Sequence, residues 1–182
     1  MPQKELKIES PFGETYDNFE RDYGCIDYNG KVVLDLGADR GSTAAFFLDK
    51  GARKVVAVEG NRVLANELKA IVMAPQWKER IIPVALWIKE PQDIENLISN
   101  YQPDVAKVDI EHWEILLVDC KSELLRKVPE WVMEIHRPDE LRKLVDQFMS
   151  IGFETKCIKE YVWKHVTGVM QTHYLQYFRF GT

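Results

Sequence analysis

The 182-residue chain is short of several things, and each shortage excludes a class of protein. Its three cysteines, Cys25, Cys120 and Cys157, lie far apart, with no Cys-x-x-Cys pair and no histidine at zinc-ligand spacing. Neither a disulfide framework nor a structural zinc site is expected from them, and the thiols read as reduced. Charges interrupt every apolar run well before the roughly 20 residues that a membrane span needs. No apolar segment follows Lys4 and Lys7, so no secretory leader is read and the cytoplasm is the expected location. Basic residues are not in excess: 24 Lys and Arg stand against 29 Asp and Glu, a net charge of −5. That balance disfavours a nucleic-acid binder that relies on a broad basic surface. There is also no internal repeat, low-complexity tract or Gly/Ser/Pro-rich linker to divide the chain.

What is present is ordinary globular material, 46% apolar and 11% aromatic, long enough for one enclosed core. Residues 1–30 carry Pro11, Gly13, Gly24 and Gly30 without sustained periodicity, and are expected as an N-terminal extension or lid before a main domain over 31–182. From Lys31 onward, short apolar runs alternate with helical spacing. The runs are Val32 to Leu34, Lys54 to Val58, Ile81 to Leu86, Val105 to Val108 and Trp131 to Ile135. Helices are expected over Ser42 to Lys50, behind an Asn61 cap, around Ile94 to Ile98, over Ile115 to Lys127, and from Pro138 towards Gly152. Five βα units in succession predict an α/β, doubly wound, Rossmann-like sheet with helices on both faces. The end breaks this rhythm: Phe153 to Glu160 and His173 to Phe180 read as two strands without a crossover helix, so the last should run antiparallel.

The first strand runs straight into Asp35-Leu36-Gly37-Ala38-Asp39-Arg40-Gly41 and then a helix. Glycines there allow a ligand to approach backbone N–H groups at a helix N-terminus. From Gly37, the second and third glycine positions of a dinucleotide fingerprint are Asp39 and Ser42, so the pyrophosphate cradle fails and nicotinamide cofactors lose ground. The surviving Asp-x-Gly-x-x-x-Gly offers a carboxylate to an ammonium group, which suits S-adenosylmethionine. Glu59, ending the second strand, is placed to accept hydrogen bonds from ribose hydroxyls.

These stretches resemble the class I S-adenosylmethionine-dependent methyltransferases, and within them the FkbM-like group. Val33 to Thr43 is similar to the first motif, Val58-Glu59-Gly60-Asn61 to the ribose-binding turn, and Val84-Ala85-Leu86 to the third strand that meets adenine. Lys107-Val108-Asp109-Ile110-Glu111 resembles a Lys-x-Asp-x-Glu signature and Glu134-Ile135-His136 an acidic-x-His. The resemblance implies a seven-stranded sheet with an antiparallel last strand. It also implies a cofactor site drawn from Asp35, Gly37, Ala38, Gly41, Ser42, Thr43, Glu59, Gly60, Asn61, Ala85, Leu86 and Asp109. The sequence departs from the family where His112 and Trp113 replace a small pair, narrowing the acceptor pocket or adding a base and a stacking wall.

At the carboxyl ends of the strands, near the switch between the first and fourth, Asp109, Glu111, His112 and His136 are the candidate catalytic residues. An imidazole is the readiest base for a hydroxyl acceptor. The same cluster has donors for a divalent cation, but no metal is assigned from the sequence. The expected acceptor is a small-molecule hydroxyl. Two alternatives stand beside it: methylation of RNA or protein docked on residues 1–30 and the slightly basic C-terminal segment, or an S-adenosylmethionine-binding module without catalysis.

Overall fold

The computed structural model describes residues 16–164 and 170–181, so residues 1–15 of the expected lid and His165 lie outside the described residues. Helix α1 (Tyr16–Tyr23) precedes β1 (Val32–Leu36), α2 (Ser42–Asp49), β2 (Lys54–Glu59), α3 (Arg62–Ile71), β3 (Ile81–Ala85), α4 (Pro91–Tyr101) and β4 (Val105–Val108). A 3-10 helix (Glu114–Asp119), the short α5 (Ser122–Leu125), β5 (Glu130–Ile135), α6 (Pro138–Ser150), β6 (Phe153–Lys164) and β7 (Met170–Phe180) complete the chain.

All seven strands form one sheet, in the order β3-β2-β1-β4-β5-β7-β6. Strands β1 to β5 pair in parallel, while β7 is antiparallel to both β5 and β6. Only five residues, 165–169, separate β6 from β7, too few for a crossover, so the chain turns back on itself. Every residue of β1 is buried, as a strand covered on both faces requires. Because side chains alternate, Leu34 and Leu36 join one core with Ile94, Trp131 and Phe148, beneath α4 and α6. Val33 joins the other with Phe46, Phe47 and Leu68, beneath α2 and α3. Tyr23 and Tyr28 close that second core from the N-terminal side, and the Tyr28 hydroxyl donates to the Tyr23 carbonyl at 2.9 Å.

The helix boundaries follow local chemistry. The Asn61 side chain accepts from the amides of Val63 and Leu64, starting α3, and Pro138 occupies the first turn of α6. The helix expected over Ile115 to Lys127 is instead two short pieces. Cys120 and Lys121 between them are extended, and buried Glu95 of α4 accepts the Lys121 amide at 2.8 Å, diverting it from helical pairing. The cysteines are unpaired thiols; Cys120 is buried, and burial with Glu95 nearby pushes its pKa up to about 12. Among the described residues no helix is long and apolar enough to cross a membrane.

Candidate functional site

Where β1 ends, Gly37 adopts a φ of +81°, and a Cβ there would stand 1.7 Å from the carbonyl oxygen of Asp109. Only glycine lets the ends of β1 and β4 close at this point. The amides of Gly37 and Ala38 both donate to the Val58 carbonyl at 3.0 Å, tying the turn to the end of β2. Gly41, at φ 98°, precedes α2, whose first residues Ser42 and Thr43 are buried. Across the turn, the Glu59 carboxylate accepts from the Asp39 amide at 2.9 Å through Oε2 and from the Asn61 amide at 2.6 Å through Oε1. Two backbone donors therefore fix this acid in place, and each oxygen keeps a lone pair.

A cleft of about 610 Å³ opens at this end of the sheet. Of the residues expected to bind a cofactor, Gly37, Glu59, Gly60, Asn61, Leu86 and Asp109 line it, and so does Glu111 of the expected catalytic set. Ala38, Gly41, Ser42 and Thr43 are buried and do not line it. Ala85 faces an adjoining depression instead. Sequence reasoning passed over Asp39, Trp87 and Ile88, which also line the cleft. Trp87 is half exposed and leans on Gly60, where an added Cβ would meet its Cα and ring at 3.1 Å. With Trp113, which the sequence did flag, it gives the cleft two partly exposed indoles.

Asp35 is fully buried and outside the cleft. Its partners are Thr43, whose hydroxyl donates at 2.6 Å, and the Lys107 ammonium at 3.3 Å. The ammonium group that the sequence led us to seek in a ligand is thus supplied by the neighbouring strand, where Lys107 pairs with Asp35 in register. Lys107 also donates to the Gly37 carbonyl at 2.7 Å and stands 3.5 Å from Asp109. Burial disfavours its charge, but Asp35 and Asp109 outweigh that and hold its pKa above the ordinary lysine range.

Next to the cleft, on the side of β5, acids and imidazoles gather. His136, buried at the end of β5, is hydrogen-bonded through Nδ1 to Oε1 of Glu114 at 3.0 Å. Glu114 is itself fully buried, and Oε1 also accepts the Ile110 amide at 3.1 Å. On its other side, Nε2 of His136 faces Glu111 at 3.6 Å, Asp109 at 3.7 Å and Glu134 at 3.8 Å. Burial alone would lower the His136 pKa; the bond to Glu114 and the charges of Glu114, Asp109 and Glu111 overcome it and push it up to about 9. The turn after β4 places Glu111 and His112 at φ 51° and 76°, two consecutive non-glycine residues in the left-handed region. Such backbone costs on the order of 1–3 kcal/mol per residue and is typical of functional turns.

The His112 ring lies 5.3 Å from that of His136 on one side, and the His173 ring 4.7 Å on another. His173, which the sequence shows only as the first residue of an aromatic strand, is thus part of the cluster, with Nδ1 3.4 Å from Oε1 of Glu134. The four expected catalytic residues do converge, but His112 and His136 stand outside the cleft lining, with Asp109 and Glu111 at its edge.

No family model matches the chain. It is 27% identical over 158 residues to uncharacterized protein 158B of Sulfolobus islandicus rod-shaped virus 1, covering 79% of this chain and 87% of that one. Over 76 residues it is 36% identical to the histone-arginine methyltransferase CARMER of Anopheles gambiae, 40% of this chain but only 12% of that much longer protein. Among solved structures, the precorrin-6y C5,15-methyltransferase of Geobacter metallireducens superposes with a TM-score of 0.58 at 14% identity, covering 83% of this chain and 82% of that one. The M. jannaschii tRNA m1G37 methyltransferase gives 0.56 at 14% identity, covering 90% of this chain and 49% of that one. Fibrillarin of Aeropyrum pernix, solved with natively bound S-adenosyl-L-methionine, gives 0.53 at 17% identity over 82% of this chain and 66% of that one. The chain therefore has the Rossmann-like fold of the class I S-adenosylmethionine-dependent methyltransferases, and the strand order and reversed β7 agree with it.

Proposed function

We propose that this chain is a cytoplasmic S-adenosylmethionine-dependent methyltransferase of the FkbM-like group, acting on a hydroxyl oxygen of a small molecule. The observation that carries the reading is Glu59, an acid held by two backbone amides in the wall of a cleft beside Gly37. The residues present fit the cofactor. Glu59 has lone pairs for ribose hydroxyls, Leu86, Trp87 and Ile88 give an apolar wall for adenine, and Asp39, Asp109 and Glu111 offer negative charge near a sulfonium. The volume lies in the range of small-molecule sites, roughly 300–1,000 Å³.

When bound, S-adenosylmethionine supplies an electrophilic methyl group to the acceptor. The chain's own task is to hold the acceptor oxygen in line, exclude water and take up the hydroxyl proton. His112 takes that proton in this reading, which its exposure on a left-handed turn between the lining residues Glu111 and Trp113 supports. Asp109 and Glu111 orient the acceptor, and His136, buried behind them, positions their carboxylates; a positioned base such as His112 contributes about 10²–10⁴-fold. Among the described residues the cleft lining has no Lys or Arg, which supports a small molecule over RNA, although Arg62 and Lys89 line the adjoining depression.

Calorimetric titration tests the cofactor assignment. Micromolar S-adenosylmethionine binding is expected for the native chain, weakened at least tenfold in Glu59→Ala and partly kept in Glu59→Gln, with no binding of NAD. A folded native chain that takes up no S-adenosylmethionine overturns the reading. Binding without turnover on a library of alcohols, sugars and phenols favours a module without catalysis.

A further inference from the structure

Glu114 occupies Nδ1 of His136, and the methyltransferase reading gives the other nitrogen no task beyond steadying the acids that face it. Nε2 of this ring has three carboxylate oxygens around it, at 3.6, 3.7 and 3.8 Å. One N–H serves one acceptor at about 2.7–3.2 Å, so these are not three hydrogen bonds. His173, on β7, adds a second imidazole, and the ligand atoms of Glu134, His136 and His173 all lie within 4.8 Å of one another. The same holds for Asp109, Glu114 and His136. Around an ion with bonds of about 2.0–2.2 Å, neighbouring donors stand about 3.0–3.5 Å apart. Oε1 of Glu134 is already 3.4 Å from His173 and 3.8 Å from His136, and the two imidazoles, within 4.8 Å, close on each other by side-chain rotation as the ion enters.

A second observation is independent of the acids on the rim. Buried Glu114 accepts from Nδ1 of His136 and is itself fixed by the Ile110 amide. A carboxylate on the far nitrogen of an imidazole holds a proton there, so that when an ion displaces the proton on the other nitrogen, that nitrogen offers its lone pair, the arrangement that orients metal-bound histidines. The elements bring this about without chain proximity: Glu134 and His136 flank Ile135 at the end of β5, and antiparallel pairing sets Tyr174 opposite Ile135, so His173 arrives beside them from β7.

We propose that Glu134, His136 and His173 form a binding site for a divalent first-row transition-metal ion, with Asp109 closing it on the cleft side. Two imidazoles among the donors favour zinc, iron, cobalt or nickel over magnesium and calcium, which take oxygen ligands. Binding of the ion does not depend on the methyltransferase reading. Its further consequence, that an acceptor oxygen reaching in past Asp109 becomes a ligand of the ion, does rest on that reading.

The test uses the full chain after chelator treatment and dialysis, titrated with Co(II) by calorimetry and by visible absorption, and with Zn(II), Mn(II) and Mg(II) by calorimetry. One equivalent of Co(II) with d–d bands in the visible is expected, with Mg(II) at least tenfold weaker. His173→Ala and Glu134→Gln should each weaken Co(II) binding tenfold or more. Glu114→Gln should weaken it by about 10–100-fold without removing a ligand. Thermal unfolding of each variant checks that it is folded, and Glu134→Gln, being isosteric, keeps the test open should His173→Ala fail to fold. Substoichiometric binding, equal binding by native chain and both ligand variants, or preference for Mg(II) would each overturn the site. S-adenosylmethionine titrated into the chelated protein is a separate measurement, so loss of the metal site and loss of the cofactor site are told apart.

Discussion

At the scale of single residues, two positions hold the rim together by different physics. Gly37 is a matter of space: its φ of +81° and the 1.7 Å approach of a Cβ to the Asp109 carbonyl leave no room for any side chain. Gly37→Ala should cost on the order of 3 kcal/mol or more in urea unfolding and abolish S-adenosylmethionine binding, because β1 and β4 must part to admit the methyl group. Lys107 is a matter of charge. It and Asp35 are both buried, and removing one partner strands the other. Lys107→Met should therefore destabilise by about 3–5 kcal/mol, and the double variant Lys107→Met with Asp35→Asn should recover much of that loss. Equal stability of the single and double variants would show that the pair does not act as one unit.

At the scale of elements, β7 is the piece on which the rest depends, since it lies between β5 and β6 and delivers His173. Phe178 anchors it, fully buried against Phe148 with ring centroids 4.6 Å apart. Phe178→Ala should cost about 3–5 kcal/mol in chemical unfolding. If metal binding reports the β5–β7 register, the same variant should also lower Co(II) affinity while S-adenosylmethionine affinity changes little, because the described residues that line the cofactor cleft come from the ends of β1 to β4 and none from β5 or β7.

This division also explains what could be read in the chain beforehand. Each βα unit carries its own signals, such as the apolar run of β2, Asn61 capping α3 and Pro138 opening α6, so those elements were legible locally. Gly37 and Glu59 stood out by their places at the ends of two strands, although the contacts that fix them, with Asp109 and Asp39, are made only in the fold. The broken helix after β4 was not, because what breaks it is Glu95, 26 residues away, capturing the Lys121 amide. Nor was the place of His173, since nothing in a run of aromatic residues fixes how an antiparallel last strand will register against β5. Asp35 misled for a related reason: its Lys107 partner is visible only once β1 and β4 lie side by side.

At the scale of the whole molecule, charge limits what the cleft can accept. Among the described residues the lining carries four acids, Asp39, Glu59, Asp109 and Glu111, and no lysine or arginine, while Arg62 and Lys89 line the depression beside it. Lys107 lies below the rim and is committed to Asp35 and the Gly37 carbonyl. The slightly basic C-terminal segment falls elsewhere: Lys156, Lys159 and Lys164 are on β6, the far edge of the sheet and three strands from β4, and Arg179 is on β7. At about 4.8 Å per strand, β6 is on the order of 14 Å from the near side of the cleft. Lys159 is moreover 3.3 Å from Asp22, an acid that partly cancels it. A polyanion bound on that edge would have to bend back over an acidic rim to present a nucleotide. The chain should therefore show no retention on tRNA at physiological salt, and any weak binding at low salt should have a slope of log K against log salt near zero. A slope of −2 or steeper would mean about three or more phosphates neutralised, at roughly −0.7 per contact for single strands. It would transfer the acceptor from a small molecule to RNA while leaving the Glu59 cleft, and the cofactor it is proposed to hold, unchanged.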